Sequence, residues 1–461
     1  MKNKFLNINH WASLTFFGIL VFAMLFTACE EDSSDGPITI SKIFLEDVNS
    51  TVQDREVSFA RLGQILRIEG SGFKGLKKVY INGFSTYFNP VMATDNSMIV
   101  SVARSTPTVD AEPAVRNTIR MANDGNEVTF AFEIRSSAPT ITSISHTLPL
   151  AGEMITIFGT GLIEVSKIVF PGNVSVTDGI TSDVDGEFCI VKVPSGVSED
   201  GGSILIECSN GGAYSPAFFN FKKGVLLDFD GIGSHGYWGT ANSMIMEEDL
   251  ESSPIGSINV SQGTYCAHRP ARIESFAAAS NRCSEVWTAG NDVDDWRGQI
   301  TPFIPAGTAL NEVAFQFDIY VPDAWQGSGY LKICMVNGFN GGEWAGNSYN
   351  YVPWVVNGEV EPFQTTGWTT VTVSLNKIYA FADKSYTFED VLLMREAANY
   401  KNFGFYFENS DFTLKNISGN ESDAEIEFPS AVSTAQVYTD NWRIVSLATP
   451  VYSDFPVDTQ E

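Results

Sequence analysis

The regular alternation of apolar and polar residues is the dominant pattern of the chain, and it predicts β-strands. In residues 313–321 every second side chain is large and apolar, and the same period recurs in residues 371–375 and 403–407. A period of two is typical of a strand that buries one face and exposes the other. With 39 glycines, 33 phenylalanines and few long helical patterns, the chain is expected to be all-β.

A helix is expected within residues 387–400, between two of these strands. Thr387 and Asp390 form a capping-box-like start ahead of the apolar run at 391–394. The helix would therefore begin at Thr387.

An internal repeat organises the first half of the chain. The segment Gly63–Gly72 matches Gly152–Gly161 at an offset of 89 residues, and each copy has an alternating strand, a Gly-x-Gly turn and a second strand. Each copy predicts one small immunoglobulin-like sandwich of about 90 residues. We place two tandem sandwiches at residues 37–136 and 137–222, followed by a larger sandwich at 223–461.

The tryptophans are concentrated in the C-terminal half. Of nine, all except Trp11 lie between Trp238 and Trp442. Rings needed only for packing would be spread over every core, so this crowding indicates that some of them serve a surface. The segment 341–354 mixes tryptophan with Gly, Asn and Tyr, a composition typical of a binding loop. Trp368 and Trp442 lie within alternating strands and are expected in the core.

The charge of the chain narrows the class of partner. A formal net charge of −27 would repel nucleic acid and anionic headgroups, so neither is expected as a partner. Neutral ligands remain. The 18% charged and 44% hydrophobic residues are those of a globular chain.

The N-terminus has the pattern of an export signal. Two lysines precede an uncharged stretch at 11–26, and small residues lead to Cys29, which is followed at once by an acidic run. This resembles a bacterial lipoprotein cleavage site, which implies a signal peptide at 1–28, lipidation of Cys29 and an acidic tether at 29–36. The alternative is a plain transmembrane anchor, because the apolar run nearly reaches the length of about 18 residues that a span requires.

Five cysteines remain once Cys29 is set aside. A hairpin with its turn inside residues 193–204 would place Cys189 opposite Cys208, which leaves open a strained disulfide or two small buried thiols. The second candidate pair is Cys266 and Cys283.

Catalytic and metal-binding patterns are weak. Glycoside hydrolysis needs two carboxyl groups about 5 to 10 Å apart, and no acidic pair has a distinctive motif. The carboxylates considered are Glu247, Glu248, Asp294, Asp295, Glu343 and Glu408. Asp228, Asp230 and Asp440 would meet if the first and last strands of the C-terminal sandwich were neighbours, and would then suit Ca²⁺, with solvated or capping carboxylates as the alternative. We expect neither an enzyme nor a required cofactor.

Both halves of the chain resemble known families. The repeats, with Pro139–Ile144 ahead of the second copy, resemble IPT/TIG immunoglobulin-like domains. The opening residues 226–231 and the closing strand 437–445 resemble those of carbohydrate-binding jelly rolls. Residues 321–333 give the best local match to the xyloglucan-binding-like domain of Bacteroidetes surface glycan-binding proteins of the SGBP-B type. The order of lipoprotein signal, acidic tether, repeats and tryptophan-rich sandwich is similar to that of this family.

The resemblance implies a function in polysaccharide uptake. It implies a non-catalytic lipoprotein that faces outward from the outer membrane, with a TonB-dependent transporter and its SusD-like protein as candidate partners. It also implies that Trp325 and Trp354 form an aromatic platform for a neutral β-glucan or a xyloglucan-like hemicellulose. A pyranose ring offers an apolar C–H face to such a platform, and rim amides and carboxylates bind its hydroxyls. The residues expected to bind glycan are Trp325, Trp354, Tyr351, Trp344, Trp296, Asn350 and Glu343.

Two other functions stay open at this point: a surface adhesin or protein-interaction scaffold, and a glycoside hydrolase. The repeats contain no tryptophan and have the composition of spacers. The fragment 223–461 is therefore expected to bind glycan as well as the full mature chain does.

Overall fold

A computed structural model of the chain describes residues 37–47, 54–233, 244–273, 282–288, 295–335, 348–378, 380–382, 384–398, 401–415 and 425–454. Within these residues the protein is built almost wholly of strands, which confirms the all-β prediction. The chain divides into two compact units, Met1–Ser137 and Ala138–Glu461. The predicted boundary at residue 222 falls inside the second unit and stays a prediction.

The first unit contains an immunoglobulin-like sandwich of short strands. Its strands are β1 (Thr39–Glu46), β2 (Phe59–Arg61), β3 (Ile65–Ser71), β4 (Lys78–Ile81), β5 (Phe84–Thr86), β6 (Ser97–Ser101), β7 (Thr118–Ala122), β8 (Glu127–Ala131) and β9 (Glu133–Arg135). One sheet has the order β1-β3-β6, the other has the order β5-β4-β7-β8, and β2 pairs with β9. Alternate residues of β3 and β4, such as Leu66 and Val79, are buried.

The second unit begins with a similar sandwich. Its strands are β10 (Thr140–Ile144), β11 (Met154–Thr160), β12 (Lys167–Phe170), β13 (Val174–Val176), β14 (Thr181–Ser182), β15 (Phe188–Lys192), β16 (Leu205–Cys208) and β17 (Gly211–Tyr214). The two sheets have the orders β10-β11-β15-β14 and β13-β12-β16-β17. We call this domain the second sandwich.

The repeated glycines have a shared structural reason. β3 begins at residue 65 and β11 at residue 154, which is the predicted offset of 89. A Cβ atom on Gly70 would lie 1.8 Å from the carbonyl oxygen of Thr39, and one on Gly159 would lie 1.9 Å from that of Thr140. The leading strand of each sandwich therefore crosses so close to this turn that only glycine fits there.

The predicted hairpin register, which would place Cys189 opposite Cys208, is wrong. β15 pairs with β11 and β14, whereas β16 pairs with β12 and β17 in the opposite sheet. The chain crosses from one sheet to the other between these strands instead of forming a hairpin, so the two cysteines are not cross-strand neighbours. All five described cysteines, including Cys266 and Cys283, are free thiols. Burial raises the pKa of Cys189 and of Cys208 to about 12.

The rest of the second unit is a larger two-sheet sandwich. Its strands are β18 (Val225–Leu227), β19 (Leu250–Glu251), β20 (Tyr265–His268), β21 (Arg282–Trp287), β22 (Val313–Tyr320), β23 (Tyr330–Cys334), β24 (Ser348–Tyr351), β25 (Val355–Val356), β26 (Glu359–Val360), β27 (Thr369–Ser374), β28 (Gly404–Glu408), β29 (Phe412–Thr413), β30 (Glu427–Phe428) and β31 (Val437–Ser446). The helices are α1 (Trp296–Ile300) and α2 (Phe388–Ala397). The predicted helix is confirmed, with Thr387 and Asp390 forming its capping box.

Two sheets enclose the main core of this C-terminal sandwich. Sheet A has the order β19-β20-β31-β22-β27, with β18 also paired to β31, and sheet B has the order β21-β28-β23-β24. The first and last strands of the domain, β18 and β31, are therefore neighbours. Trp442 lies at the centre of the core, with its ring centroid 4.4 Å from that of Phe317 and 3.7 Å from that of Phe405.

The strand β22 differs from the predicted pattern of one buried face, because all eight of its residues are buried. Phe315 and Phe317 face the main core, while Ala314 belongs to the core of the second sandwich together with Val445 of β31. The second sandwich thus packs on the outer face of sheet A, and the polar residues there are buried as well. Among the described residues, no helix has the length and apolar character needed to cross a membrane.

Candidate functional site

Trp325, the first residue of the expected platform, lies in the main core. Its side chain is 1% exposed, and its indole N–H donates a hydrogen bond of 3.0 Å to the carbonyl oxygen of Ser328. The ring packs against Phe407 of sheet B and against Tyr351, with centroid distances of 5.4 and 6.4 Å. Tyr351 therefore also turns toward the core, and burial raises the pKa of its phenol above the ordinary range. The prediction that Trp325 presents a free ring face is corrected.

Trp354, the second platform residue, is buried in the same way. It is 0% exposed, its indole N–H donates to the carbonyl oxygen of Gly329 at 3.2 Å, and its ring packs against Phe412 and Phe428. Trp325 lies between β22 and β23, Trp354 lies between β24 and β25, and both rings belong to the main core. Neither ring can stack on a sugar in this structure.

Trp296 is also unavailable to a ligand. It is the first residue of α1, it is buried, and the guanidinium carbon of Arg395 lies 3.6 Å from its ring centroid. That cation–π contact occupies the ring face. The predicted residues Trp344, Glu343 and Cys29 lie outside the described part of the chain.

Asn350 lies on a different surface, the outer face of sheet B. Along β23, Leu331 and Ile333 belong to the main core, and Lys332 and Cys334 alternate with them and point to the opposite side. Tyr330, at the start of the strand, is buried and belongs to the main core as well. Residues directly opposite in an antiparallel pair share a face, and Asn350 pairs with Lys332. The outer face of sheet B is lined by Arg282, Glu285, Trp287, Lys332, Cys334, Asn350, Tyr406 and Glu408.

The charged groups of this face neutralise one another. Lys332 Nζ lies 3.0 Å from Glu408 Oε2, and Arg282 Nη1 lies 3.1 Å from Glu285 Oε1. Burial raises the pKa of Glu285, although attraction to Arg282 and a hydrogen bond from Trp287 oppose the rise. The face therefore presents fixed donors and acceptors without a net charge, in a chain whose formal net charge is −27.

Buried aromatic rings lie beneath these polar groups. Trp287 and Tyr406, which are 0% and 3% exposed, make a small cluster with Cys334, separate from the main core. Burial raises the pKa of the Cys334 thiol to about 12, so this cysteine is a packing residue and not a nucleophile.

The segment 341–354, predicted to be a binding loop, is in part a strand. Its residues Ser348–Tyr351 form β24, and residues 341–347, which include Trp344, lie outside the described residues. The sequence predicts Asn350 as a site residue but not Lys332 and Tyr406, which share its face. The alternation of residues 331–334 contains a signal for Lys332, but only the strand register brings the three residues together.

The candidate calcium ligands serve the backbone instead. One oxygen of Asp228 accepts hydrogen bonds from the backbone N–H groups of residues 230 to 232, and Asp230 accepts from the N–H of Thr264. Asp440 is buried and accepts from Asn441. Across the described ranges, no group of three or more His, Cys, Asp or Glu side chains is arranged to hold a metal ion.

Other candidate catalytic carboxylates are likewise engaged. Asp295 caps α1 by accepting from the N–H of Gly298, and Glu248 lies 2.9 Å from Arg272. Glu408 is the one that lies on the outer face of sheet B, where Lys332 holds it. Asp294 and Glu343 are outside the described residues.

Comparison with known proteins shows which family the C-terminal sandwich, the domain that bears this face, matches. Residues 219–446 match the family described as surface glycan-binding protein B xyloglucan binding domain. An IPT/TIG domain-containing protein of Bacteroides ovatus is 28% identical over 316 residues, which is 68% of this chain and 54% of that protein. The chain therefore spans about half the length of this relative.

A solved structure shares the fold. The surface glycan-binding protein PbSGBP-B from Prevotella bryantii is 17% identical with a TM-score of 0.58, covering 90% of this chain and 99% of that one. The resemblance seen in the sequence is thus confirmed. The C-terminal sandwich of the chain, residues 219–446, is thus similar to the xyloglucan binding domain of surface glycan-binding protein B.

Proposed function

We propose that this protein captures a neutral polysaccharide at the cell surface, of the β-glucan or xyloglucan-like hemicellulose class, and does not cleave it. The observation that carries the proposal is the match of residues 219–446 to the xyloglucan binding domain family. The outer face of sheet B supports it, because polar groups whose charges are paired suit an uncharged, hydroxyl-rich ligand.

We place the glycan over the polar groups of the outer face of sheet B. Trp287 and Tyr406 are buried beneath this face, so the half-buried Lys332 and Asn350 are the groups that can hydrogen-bond to hydroxyls. The outer face of sheet A is already occupied by the second sandwich, and the inner faces of both sheets are filled by the main core.

The carboxylates of this face favour binding over hydrolysis. Hydrolysis needs one free base or nucleophile and one proton donor across the same bond. Here Glu408 is paired with Lys332, and Glu285 is paired with Arg282. A carboxylate that is paired with a cation in this way is not free to act as the base or nucleophile.

Retention by a polysaccharide tests the function. Mature chain would be run on native gels containing xyloglucan, mixed-linkage β-glucan or, as a control, a polyuronic acid. We expect at least one neutral glucan to slow migration, with little change up to about 0.5 M salt because the ligand is uncharged. Free migration in every neutral gel would refute capture, and release of reducing ends during incubation would make the protein a hydrolase.

The proposed location follows from the N-terminus. Cys29 would be lipidated and hold the protein on the outside of the outer membrane, beside a TonB-dependent transporter and its SusD-like partner. Cys29→Ala should move the protein out of the membrane fraction, and whole-cell proteolysis should digest the wild-type chain. Membrane retention of the Cys29→Ala chain would instead favour a transmembrane anchor.

A further inference from the structure

A buried polar cluster joins the second sandwich to the C-terminal sandwich. Asp318 of β22 and Arg443 of β31 form an ion pair at 2.9 Å, with both side chains 0% exposed. Arg443 also donates to the hydroxyl of Thr147 at 2.8 Å, and the backbone N–H of Thr147 donates to the hydroxyl of Thr370 at 2.9 Å. Because Thr147 belongs to the second sandwich and the other three residues do not, the cluster lies at the joint of the two domains.

His146 lies in this joint between two carboxylates. Its Nδ1 is 3.4 Å from Glu153 Oε2, on its own sandwich, and its Nε2 is 3.7 Å from Asp318 Oδ2, on the other. The imidazole side chain is 4% exposed. One buried ring therefore links acidic groups that belong to different domains.

This geometry favours the protonated ring, although Nε2 faces Asp318 from 3.7 Å without a hydrogen bond. A neutral imidazole has one N–H and one lone pair, and an ionised carboxylate can only accept. With a neutral His146, one ring nitrogen would turn its lone pair toward a carboxylate oxygen. The imidazolium presents an N–H to both sides and removes that repulsion.

The balance of charges at the joint also favours the protonated state of His146. With His146 protonated, His146 and Arg443 balance Glu153 and Asp318, whereas a neutral ring leaves one excess negative charge at the joint. Asp440 is a further acidic neighbour of Asp318. Burial and then the charge of Asp318 raise the pKa of Asp440 well above its usual range, which favours its neutral form.

The direction of the pKa shift sets the pH range of the effect. Burial alone would lower the pKa of His146, but Asp318 and Glu153 outweigh it and the pKa is raised above 6.5. The stability that this proton contributes is therefore full below about pH 6.5, the value of the unfolded chain, and is lost as the pH rises through the higher folded value.

We propose that His146 is a pH-sensitive latch between the two sandwiches, closed while its ring is protonated and loosened when the proton leaves. The latch does not depend on the glycan. It sets how stably the second sandwich packs on the outer face of sheet A. It thereby also affects the stability of the C-terminal sandwich, which bears the proposed binding face.

His268 provides a matched control. It is also buried, but its ring nitrogens each lie 2.9 Å from a hydroxyl oxygen, of Ser284 and of Thr439, and those groups can accept or donate. Burial lowers the pKa of His268 to about 3, so this ring is neutral at every pH of the experiment.

Tryptophan fluorescence reports the melting of the C-terminal sandwich, because every tryptophan of the mature chain lies between residues 238 and 442. Melting temperatures of wild type, His146→Gln and His268→Gln would be measured from about pH 5.5 to about pH 9. We expect His146→Gln to melt about 3 °C or more below wild type at the acidic end, with the gap closing as the pH rises. The gap for His268→Gln should stay constant. A constant gap for His146→Gln, or one that widens with pH, would refute the latch.

Nuclear magnetic resonance of the histidine rings gives a second test that needs no variant. The His146 ring should titrate above pH 6.5 while the His268 ring does not titrate, and Glu153→Gln should lower the His146 value by removing one carboxylate. A His146 ring that is neutral at pH 6 would overturn the proposal even if the variants fail to fold.

Discussion

At the scale of single residues, the burial of the tryptophans decides whether substituting them changes the stability of the protein or its affinity for glycan. Trp325 and Trp354 have the local sequence of platform residues, yet their indole N–H groups bond to the backbone and their rings fill the core. Removing either ring would leave a cavity, not an empty binding site. Substituting Trp325 or Trp354 should therefore lower the stability of the domain, and any loss of glycan affinity would follow from that.

Trp325→Ala is expected to destabilise the C-terminal sandwich by about 3 to 5 kcal/mol, the usual cost of deleting a large buried ring. The melting temperature should fall by about 2 to 4 °C for each kcal/mol. Leu393→Ala, which truncates a half-exposed side chain on α2, is the control and should change little. An unchanged melting temperature together with lost glycan affinity would restore the original assignment of Trp325 to a platform.

The sequence predicted local features well and non-local ones poorly at this scale. The glycines at 70 and 159 belong to a repeated turn and could be placed from spacing alone. The burial of Trp325 depends on Phe407, which is 82 residues further along the chain (325 to 407). No alternation pattern within residues 321–333 contains that contact.

At the scale of elements, the same division holds. The offset of 89 residues predicted the matching of β3 with β11 because it compares equal local patterns. The expected hairpin around residues 193–204 was wrong because β15 and β16 are consecutive in the chain yet lie in different sheets. Two consecutive strands that lie in different sheets have no local sequence pattern that distinguishes them from the two strands of a hairpin.

The strands β22 and β31 also change the role of the second sandwich. Their outer face packs against it through Ala314 and Val445 and through the buried pair of Asp318 and Arg443. A domain that covers both apolar surface and a buried ion pair is more than a spacer. The sequence could not show this, because the polar residues of β22 have the appearance of a solvated face.

A truncation series tests this joint. The fragment 138–461 should melt at the wild-type temperature of the C-terminal sandwich, because it keeps the whole second unit. The fragment 223–461 should melt lower or aggregate, since it exposes the outer face of sheet A and leaves Arg443 without Thr147. Equal melting of the two fragments would show that the second sandwich is a spacer, as the sequence alone indicated.

At the scale of the whole molecule, charge and composition agree with the proposed ligand. A chain with a formal net charge of −27 would repel an anionic polymer, yet the outer face of sheet B balances its own charges. A neutral polysaccharide can approach such a protein without electrostatic cost. Of the segment 341–354, predicted from composition to bind a ligand, Asn350 lies in β24 directly opposite Lys332.

The central claim, glycan capture by the outer face of sheet B, is tested most directly by calorimetric titration of the mature chain with the glucan that retains it on gels. The variant Lys332→Met/Glu408→Gln removes both charges of the cross-strand pair, and Lys167→Met/Glu207→Gln removes the matched pair of the second sandwich, 3.1 Å apart. We expect the first variant to lose about tenfold in affinity with an unchanged melting temperature, corresponding to one or two hydrogen bonds, and the second to bind like wild type. Wild-type affinity in the first variant would contradict the account and place the glycan elsewhere.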